Sequence, residues 1–172
     1  MRLHLLALAL VVPIALAVGA LAVSPQSQDA TVVQQDVRRA NDALYSGDVD
    51  TLLRYTHPRI IELMGGEQKT RETLKESLKV VREMRVEKLS FPDAPRFFEG
   101  QDNFFVFVPT LTIVMVKGQR IESLNFQLGI KKKGQENWAY VEGSRVNDSN
   151  VRSLFPDFPP GIEFPKFYRR KL

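Results

Sequence analysis

No cysteine occurs anywhere in the 172 residues. That excludes disulfides, a thiol nucleophile, cysteine-ligated metal and the acylated-cysteine anchor of a bacterial lipoprotein, so the fold must be held by its core. Histidine is nearly absent as well: there are two, and His4 belongs to the N-terminal leader. His57 alone cannot build a metal site, and no second histidine or acid stands at ligand spacing from it, so neither a metal nor a cofactor is expected. A phosphate-cradling glycine loop and a Gly-x-Ser-x-Gly elbow are both missing. Charge of one sign is not concentrated either. The 24 basic and 20 acidic residues leave a net +4 and are interspersed. The runs Lys131-Lys132-Lys133 and Arg169-Arg170-Lys171 read as a solvated turn and terminus, and a nucleic-acid partner is not expected.

What is present is an ordinary globular composition, 44% hydrophobic and 26% charged, in a length that suits one domain behind a leader. Met1–Ala22 has a positive start at Arg2, an apolar stretch Leu5–Val18 and the cleavage pattern Ala20-Leu21-Ala22. These are the marks of a signal peptide. The uncharged run Leu5–Val23 is also long enough to span a bilayer, so an uncleaved anchor is the rival reading. Either way the domain is expected to be exported, to a periplasmic or extracellular location.

Beyond the leader, the hydrophobic period is helical and then becomes two. Val33, Val37, Ala40 and Leu44 draw one stripe on a helix from Ala30 to Tyr45. Gly47 stops that helix and Asp48 is placed to cap a second, Val49 to Thr56. Pro58 ends it at His57 and opens a further helical turn, Pro58–Met64, with Glu62 turned to solvent. After Gly65-Gly66 comes a third helix, Glu67 to Arg85. Strands follow at Val86–Phe91, Arg96–Glu99, Phe104–Val116, Arg120–Lys132 and Trp138–Val146, with Pro109 marking a bulge or bend. Leu124, Phe126, Leu128 and Ile130 face one way, while Ser123, Asn125 and Gln127 face the other, either lining a polar pocket or, as the leading expectation, meeting solvent or a partner sheet. The expected fold class is α+β: three N-terminal helices packed on a curved, mostly antiparallel sheet, a cone with a pocket at its wide end.

The order of these elements, the corner "LYSGDVDTLLRY" and the long final strands resemble the nuclear-transport-factor-2-like (SnoaL-like, cystatin-related) superfamily over Asp29 to Phe158. "THPRIIELMGG", "NWAYVEG" and "LFPDFPP" are similar to uncharacterised exported bacterial members. The resemblance implies a pocket and leaves its chemistry open, because the superfamily holds isomerases, dehydratases, cyclases, hydrolases and non-enzymatic binding domains. It also implies that the outer face of the sheet can serve as a homodimer surface. Residues 159–172 lie beyond it as a proline-rich, basic-aromatic tail.

Two groups of residues carry candidate chemistry. His57 is either a general base beside the pocket, accompanied by Tyr55 and Tyr45, or the cap of the Pro58 turn. Trp138, Tyr140 and Glu142 alternate onto one face of the last strand, either as an acid with a raised pKa among aromatics or as ordinary core. No Asp or Glu stands on the apolar stripes, which speaks against an isomerase-type acid deep in the cone. The leading expectation is therefore non-catalytic binding of a small molecule or an envelope protein, with Tyr45, His57 and Trp138 as ligand contacts. One alternative is an isomerase or lyase with His57 as base and Tyr55 or Tyr140 as hydrogen-bond donor. The other is a membrane-surface module, its tail of Phe164 to Lys171 touching anionic lipid.

Overall fold

A computed structural model describes residues 25–172, with side chains from Asp29 onward. The leader reading, Met1–Ala22, lies outside the described residues. Among the described residues no helix is long and apolar enough to cross a membrane.

Four helices come first: α1 (Pro25–Ser46), α2 (Val49–Tyr55), α3 (Pro58–Leu63) and α4 (Glu67–Val81). Their boundaries follow local chemistry. Asp48 caps α2 by accepting from Thr51 N at 3.0 Å and from the Thr51 hydroxyl at 2.7 Å. His57 caps α3, its Nδ1 accepting from Arg59 N at 3.1 Å, with Pro58 at the first helical position. The Pro58 turn is thus a short helix in its own right. Glu62 is exposed, and α4 ends at Val81, earlier than the spacing suggests.

The sheet has six strands, β1 (Met84–Ser90), β2 (Arg96–Glu99), β3 (Asn103–Val116), β4 (Gln119–Lys132), β5 (Ala139–Glu142) and β6 (Tyr168–Lys171). It is open, curved and antiparallel, and the α+β class stands. β3 and β4 form its spine, joined at Lys117-Gly118, whose positive φ values of 48° and 77° make a two-residue turn matched to strand twist. β1 and β2 lie end to end along the free edge of β3, while β5 and β6 do the same along β4. Pro109 causes no slip: its pairing with Phe126 continues an unbroken register from Asn103 to Val116. It falls where β2 has ended and β1 has not begun, so the N–H it lacks has no neighbouring strand to bond. The bulge lies instead between Val86 and Lys88, where Glu87 reaches Arg120 at 2.7 Å.

Register separates the two faces. Val106 and Val108, with Trp138 and Tyr140, pack under Val33 and Val37 of α1. The opposite face carries Phe105, Phe107, Phe126 and Leu128, and the chain after β5 returns to cover it. A single 3-10 turn (Gly143–Arg145) and α5 (Val151–Leu154) lead into Phe155, Phe158 and Phe164. Phe107 meets Phe98, Phe126 and Phe164 with ring centroids 5.1–5.2 Å apart, the tilted geometry aromatic pairs prefer. The last strand expected through Val146 therefore stops at Glu142. The tail segment contributes a core phenylalanine and the strand β6.

Candidate functional site

Between α1–α4 and the concave face of the sheet lies a cleft of about 530 Å³. Its walls are apolar, including Val37 and Leu44 from α1, Leu52 from α2, Ile60 and Met64 from α3 and Leu74 from α4. Its other end is polar: Thr110 of β3, Gln127 of β4, Tyr140 and Glu142 of β5, and Tyr55. Volume and lining are those of small-molecule pockets generally.

The polar end is assembled by one backbone junction. Thr56 pairs with Tyr140 as an isolated parallel bridge, and His57 N donates to the Tyr140 carbonyl at 2.9 Å. The C-terminus of α2 is thereby pinned to edge strand β5, which sets the Tyr55 and Tyr140 rings 6.2 Å apart. Both hydroxyls donate to one carboxylate, Tyr55 to Asp36 Oδ1 at 3.3 Å and Tyr140 to Asp36 Oδ2 at 3.1 Å. Arg39 stands 3.7 Å from Asp36, whose side chain is only 13% exposed. Burial, and then the charge of Asp36, push the Tyr140 hydroxyl far above the usual tyrosine range.

Those bonds decide what the site can do. The tyrosine protons are committed to Asp36, and the Tyr55 oxygen also meets the Arg39 guanidinium, which leaves the Tyr140 oxygen with lone pairs to accept. The Glu142 carboxylate takes bonds from Asn125 Nδ2 at 2.9 Å and the Ser144 hydroxyl at 2.6 Å, with Arg145 at 3.5 Å. Asp36 itself does not line the cleft. The Tyr140 oxygen and the Glu142 carboxylate are thus the acceptors at the polar end, beside Arg145, Asn150, Gln127 and Thr110.

Gly129 makes room for these groups. A Cβ there would stand 2.6 Å from Val106 Cγ1 and 3.0 Å from Tyr140 Cε1, so only glycine lets the Tyr140 ring lie against β4.

The structure brings Tyr55, Tyr140 and Glu142 together at this cleft and leaves the other three singled-out residues elsewhere. His57 lines a separate cleft, caps α3 and sits with its ring edge-on to Phe155 at 4.9 Å. Burial holds its pKa below the ordinary 6.5, although the charge of Glu62 pulls the other way. Trp138, 4% exposed, lines that second cleft too, under the Lys131 ammonium at 4.8 Å. Tyr45 lies half-buried at the end of α1; burial raises its pKa against the opposing charge of Arg169.

Two expectations need correction. Asp36 is an acid on the inner side of α1, three residues after Val33 and four before Ala40, and that spacing alone places it beside the stripe. The row Ser123, Asn125 and Gln127 faces the helices and not an outer surface, because Leu124, Phe126 and Leu128 point to the face that the C-terminal segment covers.

Comparison with protein-family models, with curated proteins and with solved structures returned no match. Nothing but the geometry therefore speaks for the site. Among the described residues no group of three His, Asp or Glu side chains is placed to hold a metal.

Proposed function

We propose that this chain is an exported nuclear-transport-factor-2-like domain that binds a small ligand in the cleft between its helices and its sheet, without catalysis. The observation that carries the reading is the division of that cleft into apolar walls and a polar end whose acceptors are Tyr140 and Glu142. Its ligand has an apolar body and at least one N–H or O–H. The acceptors orient the donor, and burial of the body supplies most of the affinity, at about 25 cal/mol for each Å² of apolar surface removed from water.

N-phenyl-1-naphthylamine, an apolar fluorophore with one N–H, is a suitable first probe. It should bind saturably with a gain in emission. Ala40→Phe, which fills the cleft from α1, should abolish the gain, and Glu142→Gln should weaken it. Emission unchanged by Ala40→Phe would place the probe elsewhere and overturn the assignment.

A further inference from the structure

A second cleft, of about 550 Å³, opens where α2, α3 and the start of β5 meet. It is independent of the first, sharing with it the backbone junction at Thr56 and the side chain of Leu154. Its floor is apolar, built from Leu53, Ile61, Ile130, Leu154 and Phe155.

The polar groups around that floor include the amides of Gln135 and Asn137, which can accept as well as donate, and several uncommitted donors. The one acid in the lining, Asp157, is already occupied. Its Oδ2 accepts from Asp102 N at 3.1 Å and Asn103 N at 3.0 Å, and Asn103 Nδ2 stands 3.0 Å from both of its oxygens. Arg54 and Lys132 also line the cleft, and neither is within ion-pair distance of a carboxylate among the described residues. His57 spends Nδ1 as an acceptor for Arg59 N, which leaves Nε2 to carry the ring proton as a donor. Trp138 is the only tryptophan in the chain and is 4% exposed. Its Nε1–H is buried without an acceptor among the described residues. That N–H is closed to solvent, so the indole lies against the cleft without being one of its donors.

Two unpaired cations and the His57 Nε2–H above an apolar floor select an anion joined to an apolar body. We propose that this second cleft binds a small aliphatic or aromatic monocarboxylate, its carboxylate held by Arg54 and Lys132 with His57 as a further donor. Arg54 gives the planar, two-donor geometry that carboxylates match, and Lys132 adds a point charge. His57 then has a role here as a neutral hydrogen-bond donor and not as a base.

Because Trp138 lies in this cleft and is the sole tryptophan, its emission reports locally. Titration of the whole chain with octanoate should change Trp138 emission saturably, and octanol should bind at least about tenfold more weakly for want of the charge-assisted bonds. Arg54 and Lys132 are both exposed, so the double variant Arg54→Gln/Lys132→Gln should keep its melting temperature and lose octanoate binding. Ala40→Phe, which fills the other cleft, should leave octanoate binding intact. Equal binding of octanol and octanoate, or an unchanged octanoate affinity in the double variant, would overturn the proposal. Loss of octanoate binding in Ala40→Phe would overturn it too, by assigning the ligand to the first cleft. Conversely, failure of the naphthylamine probe with octanoate still binding would sink the first assignment alone.

Discussion

Asp36 is a mostly buried charge held by two phenols, and at this scale each bond can be removed singly. Tyr140→Phe deletes the shorter and more buried of the two, at 3.1 Å, and leaves part of the carboxylate unsatisfied. It should destabilise the fold by about 2 kcal/mol, and Tyr55→Phe by less, as measured by urea unfolding. A double-mutant cycle over the two tyrosines should show coupling, since both serve one carboxylate. Coupling of zero would mean that the hydroxyls act separately. His57 makes a second residue-scale prediction. Burial lowers its folded pKa below the ordinary 6.5, so the folded state binds the proton less readily than the unfolded chain. Its contribution to stability is therefore complete above about pH 6.5 and is lost as pH falls through the folded value. His57→Asn preserves a side-chain cap for Arg59 N without a titrating ring. The fall in unfolding free energy below pH 6.5 should be shallower in that variant; an identical slope would remove His57 as its source.

Among the elements, β6 is the strand that the C-terminal tail adds to the sheet. All four of its residues are exposed, and it joins β4 opposite Ile121 to Leu124. Glu122 fastens it, accepting from the Tyr168 hydroxyl at 2.8 Å and pairing with Arg170 at 2.6 Å. The Tyr168 bond first, and then Arg170, hold the Glu122 carboxyl below its usual 4.5. Its contribution is thus present above that pH and is lost as pH falls through the lower folded value. Glu122→Gln should speed amide hydrogen exchange in Tyr168–Lys171 at neutral pH while β3 stays protected. Unchanged exchange would show that the backbone ladder alone retains the strand.

On the scale of the whole molecule, the C-terminal segment completes the core. Phe158 is 2% exposed, and Phe164 packs on Phe107, Phe126 and Phe158. A chain ending at Phe158 would uncover part of a face that carries Phe107 and Phe126, both essentially solvent-free in the intact protein. It should bind an apolar dye and self-associate in sedimentation velocity, as exposed apolar patches do. A monomeric, dye-free truncation would show that the sheet face closes without the segment. By itself the sequence determined the helix-to-strand change of period, the cap at Asp48 and the alternation of sides along β4 and β5. These are local matters of spacing, capping and backbone freedom. Only the tertiary structure decided which face of the sheet meets the helices. That choice turns on where the C-terminal phenylalanines return, and no periodicity within β4 encodes it. It likewise decided that Tyr55 and Tyr140, far apart in the chain, converge on Asp36 while His57, two residues from Tyr55, points to another cleft. The junction of Thr56 with Tyr140 that separates them is a long-range backbone pairing, and such pairings leave no mark on local sequence.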